Sequence, residues 1–130
     1  MSSAGFQFGK QLRLLHARDY QQVFQSARYK VSCSQILVLA MDNNSPSPRL
    51  GLVIAKKHIK TAVARNRVKR LIRESFRTNQ YLLKGLDIVI LARTGLGLMA
   101  NDQLSLQLDR LWHDLVQKRA KTTLNNSQVC

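Results

Sequence analysis

The segment from Ala64 to Arg77 dictates more of this chain's architecture than any other. At about 100° per residue, one side of a helix collects the apolar and small residues Ala64, Val68, Leu71, Ile72, Ser75 and Phe76. The opposite side carries Asn66, Lys69, Arg70, Arg73 and Arg77, with Arg65 and Arg67 near its edges. The apolar side needs a sheet or a helix beneath it, and the cationic side is suited to an anionic partner.

Charge balance makes that partner a polyanion. Between Ala64 and Arg77 the only acid is Glu74, whereas a helix side that merely meets water normally mixes both signs. The whole chain has a formal net charge of +14 in 130 residues. Nucleic acid is the expected partner, because neutralising its phosphates releases condensed counterions.

A membrane is the competing anionic partner, and the sequence disfavours it. The basic helix has ordinary core residues opposite its cations, without the aromatic load of an interfacial anchor. No apolar run reaches the roughly 18 residues of a membrane span, and residues 1–11 lack the apolar core of a secretory signal. Cys33 and Cys130 show no metal or redox spacing, so they are expected to be reduced thiols. These features predict a cytoplasmic protein.

Hydrophobic periodicity predicts one α+β domain with the order α-β-β-β-α-β-α. The predicted helices are 17–26, 61–78 with Thr61 as N-cap, and a last helix capped by Asn101 or Asp102; the predicted strands are 29–34, 35–41, 49–55 and 86–92. The second and third strands are predicted to pair as a hairpin around a loop at 42–48. The domain is expected to span 15–120, with a flexible basic arm at 1–14 and a disordered tail at 121–130.

The sequence offers no catalytic constellation. Its seven acids are dispersed, its three histidines lack metal-binding spacing, and no glycine-rich phosphate loop is present. Two aromatics one turn apart on the first helix, Tyr20 and Phe24, either pack on the sheet or stack unpaired RNA bases. Gly51, inside a predicted strand, indicates a close backbone approach. The chain is therefore expected to bind nucleic acid without catalysing a reaction alone.

Several of these segments together resemble the signature of the bacterial ribonuclease P protein subunit. They are Leu50-Gly51-Leu52-Val53-Ile54-Ala55-Lys56-Lys57, Ala62-Val63, and Arg65-Asn66-Arg67-Val68-Lys69-Arg70-Leu71-Ile72-Arg73. The resemblance extends from about Leu12 to Arg119 and includes Asp19-Tyr20, Val23-Phe24 and Leu111-Trp112. It implies the same element order, a small mixed sheet, and a left-handed crossover through the basic helix, as in the second domain of a small-subunit ribosomal protein.

The resemblance also implies a division of labour. In that family the RNA subunit is the catalyst, and the protein assists it in the endonucleolytic removal of the 5′ leader from precursor tRNA. The expected partners are the catalytic RNA, as a 1:1 complex, and precursor tRNA, with neither DNA nor a membrane. Mg²⁺ is expected to be held mainly by the RNA, with Asn66 as a possible protein ligand beside it.

Two sets of site residues follow from the resemblance. The expected contacts with the catalytic RNA are Lys56, Lys57, Arg65, Asn66, Arg67, Lys69, Arg70, Arg73 and Arg77. A cleft between the first helix and the sheet is expected to take the single-stranded leader, and its residues are Tyr20, Phe24, Leu37 and Leu39, with Lys69 and Arg73 at its edge.

Two other classes of protein remain as alternatives. A structural RNA-binding protein, ribosomal or chaperone-like, would bind many RNAs without stimulating their cleavage. A DNA-binding module is disfavoured, because its basic helix usually belongs to a dimer or a helix-turn-helix pair, whereas here the helix lies between strands.

Overall fold

The computed structural model describes residues 12–14 and 16–129, with side chains up to residue 122. The elements are α1 (Ala17–Ser26), β1 (Tyr29–Ser32), β2 (Ile36–Asp42), β3 (Arg49–Val53), α2 (Ala62–Thr78), β4 (Leu86–Ala92), a short 3-10 helix (Leu96–Leu98) and α3 (Asn101–Val129). The predicted α+β order is confirmed, and the strand limits differ from the prediction by one or two residues. Most of the predicted arm at 1–14 lies outside the described residues.

The strand order in the sheet is β1-β2-β4-β3, so the predicted hairpin between β2 and β3 is wrong. β4 lies between them, antiparallel to β2 and parallel to β3, with Ile90 opposite both Val38 and Leu52. β4 is apolar at six of its seven positions. Because β4 lies in the centre of the sheet, both faces of this strand are buried. The loop at 43–48 is long enough to join β2 to β3 across the end of β4. These two strands are two strand spacings apart, only about 10 Å, and six extended residues span about 20 Å.

The main hydrophobic core lies between the sheet and the helices α2 and α3. Val68, Ile72 and Phe76 of α2 are fully buried, which confirms the predicted apolar side of the basic helix. The Phe76 ring meets Trp112 of α3 edge-on, with centroids 6.2 Å apart, and Trp112 Nε1 donates to Ser75 Oγ at 2.8 Å. This packing fixes the rotation of α2 and turns its cations away from the core.

A buried ion pair joins the loop at 43–48 to strands β3 and β4. Asp87 is only 5% exposed, and its carboxylate accepts from Arg49 Nε at 2.9 Å and from Arg49 Nη2 at 2.6 Å. Asn43 Nδ2 donates to the same carboxylate at 2.9 Å. The hydrogen bonds from Arg49 to Asp87 raise the pKa of Arg49 above its ordinary value. Arg49 is therefore engaged within the fold.

The start of α3 differs from the prediction by one residue. The amide N–H of Leu104 donates to the carbonyl of Ala100 at 2.9 Å, so the cap position falls on Ala100 instead of on Asn101 or Asp102. The side chain of Asn101 accepts a hydrogen bond from Arg67. At its other end α3 continues to Val129, past the domain boundary predicted at residue 120. Among the described helices, none is long and apolar enough to cross a membrane.

Candidate nucleic-acid interface

The exposed side of α2 and the turn before it form a cationic surface. Thr61 Oγ1 accepts from the Ala64 N–H at 3.2 Å, which confirms the predicted N-cap and starts the helix directly after the turn. Asn66 and Arg70 are exposed, whereas Lys69 and Arg73 are half-buried. We define the basic strip as Lys56, Lys57, Asn66, Lys69, Arg70 and Arg73. Over the described part of the chain, no carboxylate pairs with any of these side chains.

Three of the predicted RNA contacts are engaged within the chain. Arg67 Nη2 donates to the carbonyls of Gly97 at 3.1 Å and Met99 at 3.0 Å, while Nη1 bonds Asn101 Oδ1. Arg65 Nη1 donates to the carbonyls of residues 59 and 60, both at 3.0 Å, and Arg77 pairs with Glu74. For Arg65 and Arg77, direct contact with RNA stays a prediction, whereas the three hydrogen bonds of Arg67 favour a structural role over the RNA contact that the resemblance implies. Arg67 in particular fastens α2 to the segment that leads into α3.

Replacing Arg67 with alanine should therefore lower stability more than it alters phosphate binding. Loss of its hydrogen bonds to three acceptors should reduce the free energy of unfolding by about 2 kcal/mol, measured by urea denaturation. The salt dependence of RNA binding should stay as in the wild type. Arg70→Ala is the matched control, because Arg70 is exposed: it should leave stability unchanged and reduce the salt slope by about one unit. The reverse pattern in the two variants would contradict this assignment.

A small pocket opens where α2 meets the edge of the sheet. Its volume is about 100 Å³, and it is lined by Arg13, Leu14, Tyr20, Leu50, Leu52, Lys69 and Arg73. Burial, followed by the nearby charge of Arg13, lowers the pKa of Arg73, and interaction with Tyr20 partly opposes this shift. The charged guanidinium thus lies partly desolvated and near a second cation. An anion in the pocket would relieve that cost, so the pocket is suited to a phosphate group.

The Tyr20 ring reaches this pocket because the residue of β3 that lies directly under the ring is a glycine, Gly51. A Cβ atom on Gly51 would lie 2.6 Å from Tyr20 Cε2, which is far inside van der Waals contact. The close backbone approach predicted at Gly51 is therefore confirmed. The Tyr20 ring is half-buried against the strand, so packing explains it better than base stacking does.

The cleft predicted between α1 and the sheet corresponds to an apolar surface on the sheet face that carries α1. Cross-strand register places Leu37, Leu91 and Val53 in one row, next to the row of Leu39, Val89 and Gly51. Tyr20, Leu39, Val53 and Leu91 pack against the buried cluster of Leu14, Val23 and Val89. Phe24, one turn beyond Tyr20 on α1, is 44% exposed. Tyr20 and Leu39 thus lie together, and the strand register places Leu37 on the same face of the sheet. The Phe24 ring remains accessible.

Sequence reasoning missed three residues at these sites. Val53 and Leu91 share the cleft face with Leu37 only because β4 separates β2 from β3, and the predicted hairpin hid that relation. Arg13 reaches the pocket because it forms an isolated parallel bridge with Leu50, beside β3. Its position in a basic arm was the available signal, but nothing in the local pattern predicted the bridge.

Among the described residues there is no cluster of three or more His, Cys, Asp or Glu side chains that could hold a metal ion. Asn66 lines an open pocket with Val63, Arg67 and Arg70, so its neutral amide oxygen lies among cations. Mg²⁺ needs several oxygen ligands, and the protein residues do not fit it without ligands from another molecule.

Comparison with known proteins identifies the family. A family model described as Ribonuclease P matches residues 8–116. The ribonuclease P protein component of Pseudomonas aeruginosa is 51% identical over 115 residues, covering 88% of this chain and 85% of that protein. The component of Azotobacter vinelandii is 49% identical over 117 residues, covering 90% of each.

Solved structures agree with the sequence relatives. The RNase P protein of Staphylococcus aureus superposes with a TM-score of 0.71 at 29% identity, covering 77% of this chain and 91% of that one. The RNase P protein of Thermotoga maritima gives a TM-score of 0.68 at 30% identity, covering 78% and 96%. The α+β fold, the cation-bearing α2 and these matches lead to one conclusion: the chain belongs to the ribonuclease P protein family.

Proposed function

We propose that this chain is the RNA-binding subunit of ribonuclease P, an endoribonuclease whose RNA subunit removes the 5′ leader of precursor tRNA. The observation that carries the proposal is the basic strip, an exposed cationic surface next to an apolar cleft. The complex is proposed to be a 1:1 heterodimer in the cytoplasm, with no DNA or membrane partner. The relatives' name, ribonuclease P protein component, supports this assignment.

In this proposal the basic strip binds the RNA subunit near its junction with the substrate. Lys56, Lys57 and Arg70 are exposed and can meet phosphates directly. Two RNAs that approach each other repel, and protein cations at their junction reduce that repulsion in place of some dissolved cations. The protein should therefore lower the Mg²⁺ concentration that the RNA needs. The ion itself is assigned to the RNA, with Asn66 as a possible additional ligand.

The cleft is proposed to hold a few leader nucleotides in extended form. The half-buried Leu37 and Leu39 offer an apolar surface, and the accessible Phe24 ring offers a face for one unpaired base. The pocket at the sheet edge lies beside Tyr20, so a leader held over the cleft would end next to Lys69 and Arg73, the part of the basic strip that faces the RNA subunit and borders the cleft. Only precursor tRNA carries the leader, so this contact would favour precursor over mature tRNA.

Replacing Phe24 with alanine should therefore weaken binding of precursor tRNA selectively. Loss of one stacked base should reduce affinity of the reconstituted complex for precursor by roughly fivefold or more, with mature tRNA nearly unaffected. The measurement is the dissociation constant of each tRNA from the complex with Phe24→Ala. Leu106→Ala, which truncates an exposed apolar residue on α3, is the control and should change neither constant. Equal weakening of both tRNAs by Phe24→Ala would mean that Phe24 only supports the fold.

A further inference from the structure

The loop between α2 and β4, residues 79–85, presents an aromatic ring to solvent. Tyr81 is 77% exposed, whereas Tyr29, Phe76 and Trp112 are buried. Lys84 Nζ lies 4.3 Å from the centroid of the Tyr81 ring, within the range of a cation–π contact. The loop therefore exposes an aromatic surface and a positive charge at one place, outside both the basic strip and the cleft.

Hydrogen bonds hold this loop in a defined conformation. Asn79 Nδ2 donates to the carbonyl of Ser75 at 2.7 Å, and the amide of Leu83 donates to the carbonyl of Asn79 at 3.2 Å. The Leu83 side chain is fully buried, and Arg119 Nη1 of α3 donates to the carbonyl of Lys84 at 2.7 Å. The fold thus fixes the backbone on both sides of Tyr81. A partner would lose little conformational entropy in ordering this loop.

Charge and position favour RNA as the occupant. The chain has a net charge of +14, and α2, with 17 residues or about 25 Å of helix, connects this loop to the N-terminal end of the basic strip. The C-terminal end of a helix carries partial negative charge and disfavours a phosphate there. An aromatic ring accepts the face of a base without needing a phosphate beside it. An exposed ring at this end of α2 is therefore better suited to stacking on a base than to holding a phosphate.

We propose that Tyr81, with Lys84 beside it, is a second RNA contact on which an unpaired base of the ribonuclease P RNA subunit stacks. The proposal rests on the proposed function, because it assumes that the RNA subunit covers α2. The RNA subunit is favoured over the leader because the leader cleft lies on the sheet face that carries α1. The Tyr81 loop is fastened instead to α3, which packs on the opposite face.

The first test compares affinities for the RNA subunit alone. Tyr81→Ala should weaken binding by roughly fivefold or more, whereas Tyr81→Trp, which keeps an aromatic face, should bind within about twofold of wild type. Leu82→Ala is the matched control, because Leu82 is 43% exposed in the same loop and should also stay within about twofold. The salt slope of Tyr81→Ala should equal that of wild type, since no phosphate contact is lost.

A second measurement locates the contact. The complex of the wild-type chain, RNA subunit and precursor tRNA is prepared twice, with 5-iodouridine in the RNA subunit or in the precursor tRNA. After irradiation and digestion, the peptide cross-linked to the RNA subunit should contain Tyr81. Equal affinity of Tyr81→Ala and wild type, or a cross-link of Tyr81 to precursor tRNA instead of the RNA subunit, would overturn the inference. Failure of the wild-type chain to bind the RNA subunit at all would overturn the proposed function as well, so the two failures are distinguishable.

Discussion

Replacing Lys69, Arg70 and Arg73 together with glutamine should weaken binding of the RNA subunit by about 100- to 500-fold at 0.1 M salt. If the wild-type chain neutralises about six to eight phosphates, log K should fall against log salt with a slope near −5 to −7. Each lost phosphate contact makes that slope shallower by about 0.7 to 0.9. Counted from 1 M salt, each lost contact therefore lowers log K by about 0.7 to 0.9 for every tenfold dilution of the salt. The triple variant should therefore have a slope smaller by about two to three units.

A second triple variant separates local contact from total charge. Lys30, Arg110 and Lys121 are exposed cations on β1 and α3, outside the basic strip, and their replacement by glutamine removes the same three charges. This control should keep most of the salt slope and lose far less affinity. Equal losses in the two triple variants would show that RNA binding responds to net charge alone, and the assignment of the basic strip would be wrong. Urea denaturation of both variants confirms that they are folded.

Replacing Arg49 with methionine should destabilise the domain by about 3 kcal/mol. Removing one partner of a buried ion pair commonly costs 3–5 kcal/mol, because the remaining charge is left in a poorly solvated place. The lower end applies here, since the Arg49 side chain is 36% exposed and Asn43 would still donate to Asp87. The measurement is the free energy of unfolding from urea denaturation.

The double variant Arg49→Met/Asp87→Leu is the control for this prediction. It removes both charges, so it should recover a large part of the lost stability. RNA binding by folded Arg49→Met should keep the wild-type salt slope, because Arg49 is engaged with Asp87 and not with phosphate. A stable Arg49→Met protein with a reduced salt slope would place Arg49 in the RNA interface.

Local sequence patterns were sufficient for the helices and for the central strand. The apolar side of α2, its Thr61 cap and the buried run at 86–92 each follow from residues close together in sequence. The hairpin prediction failed because β4 enters the sheet more than thirty residues after β3 begins, and local alternation cannot show which strand separates two others. The same insertion creates the row of Leu37, Leu91 and Val53 in the cleft.

The division of labour among the cations could not be predicted from sequence. Arg67 and Arg70 look equivalent in a basic run, yet the acceptors of Arg67 lie about thirty residues later in the chain. Arg49 likewise forms an ion pair with Asp87, an acid within an otherwise apolar strand. The resemblance gave the family and a set of positions. The three-dimensional contacts distinguish the cations that hold the fold from those that remain available to RNA.

The basic strip and the leader cleft meet at one edge of the sheet. Lys69 and Arg73 belong to the basic strip and also line the pocket beside Tyr20, from which α1 continues to Phe24. A leader strand bound in the cleft would therefore emerge from the cleft next to the RNA subunit bound on α2. In the proposed function, this arrangement sets the distance between substrate and RNA subunit without requiring the protein to contribute a reacting group.

The most direct measurement is reconstitution of cleavage at low Mg²⁺. The catalytic RNA and precursor tRNA are combined over a range of Mg²⁺ concentrations, without the chain, with the wild-type chain, and with the Lys69, Arg70 and Arg73 triple variant. The wild-type chain should restore removal of the 5′ leader at Mg²⁺ concentrations where the RNA alone is inactive, and the triple variant should do so poorly. If the chain binds this RNA and unrelated RNAs alike and leaves the Mg²⁺ requirement unchanged, it is a general RNA-binding protein and the proposed function is wrong.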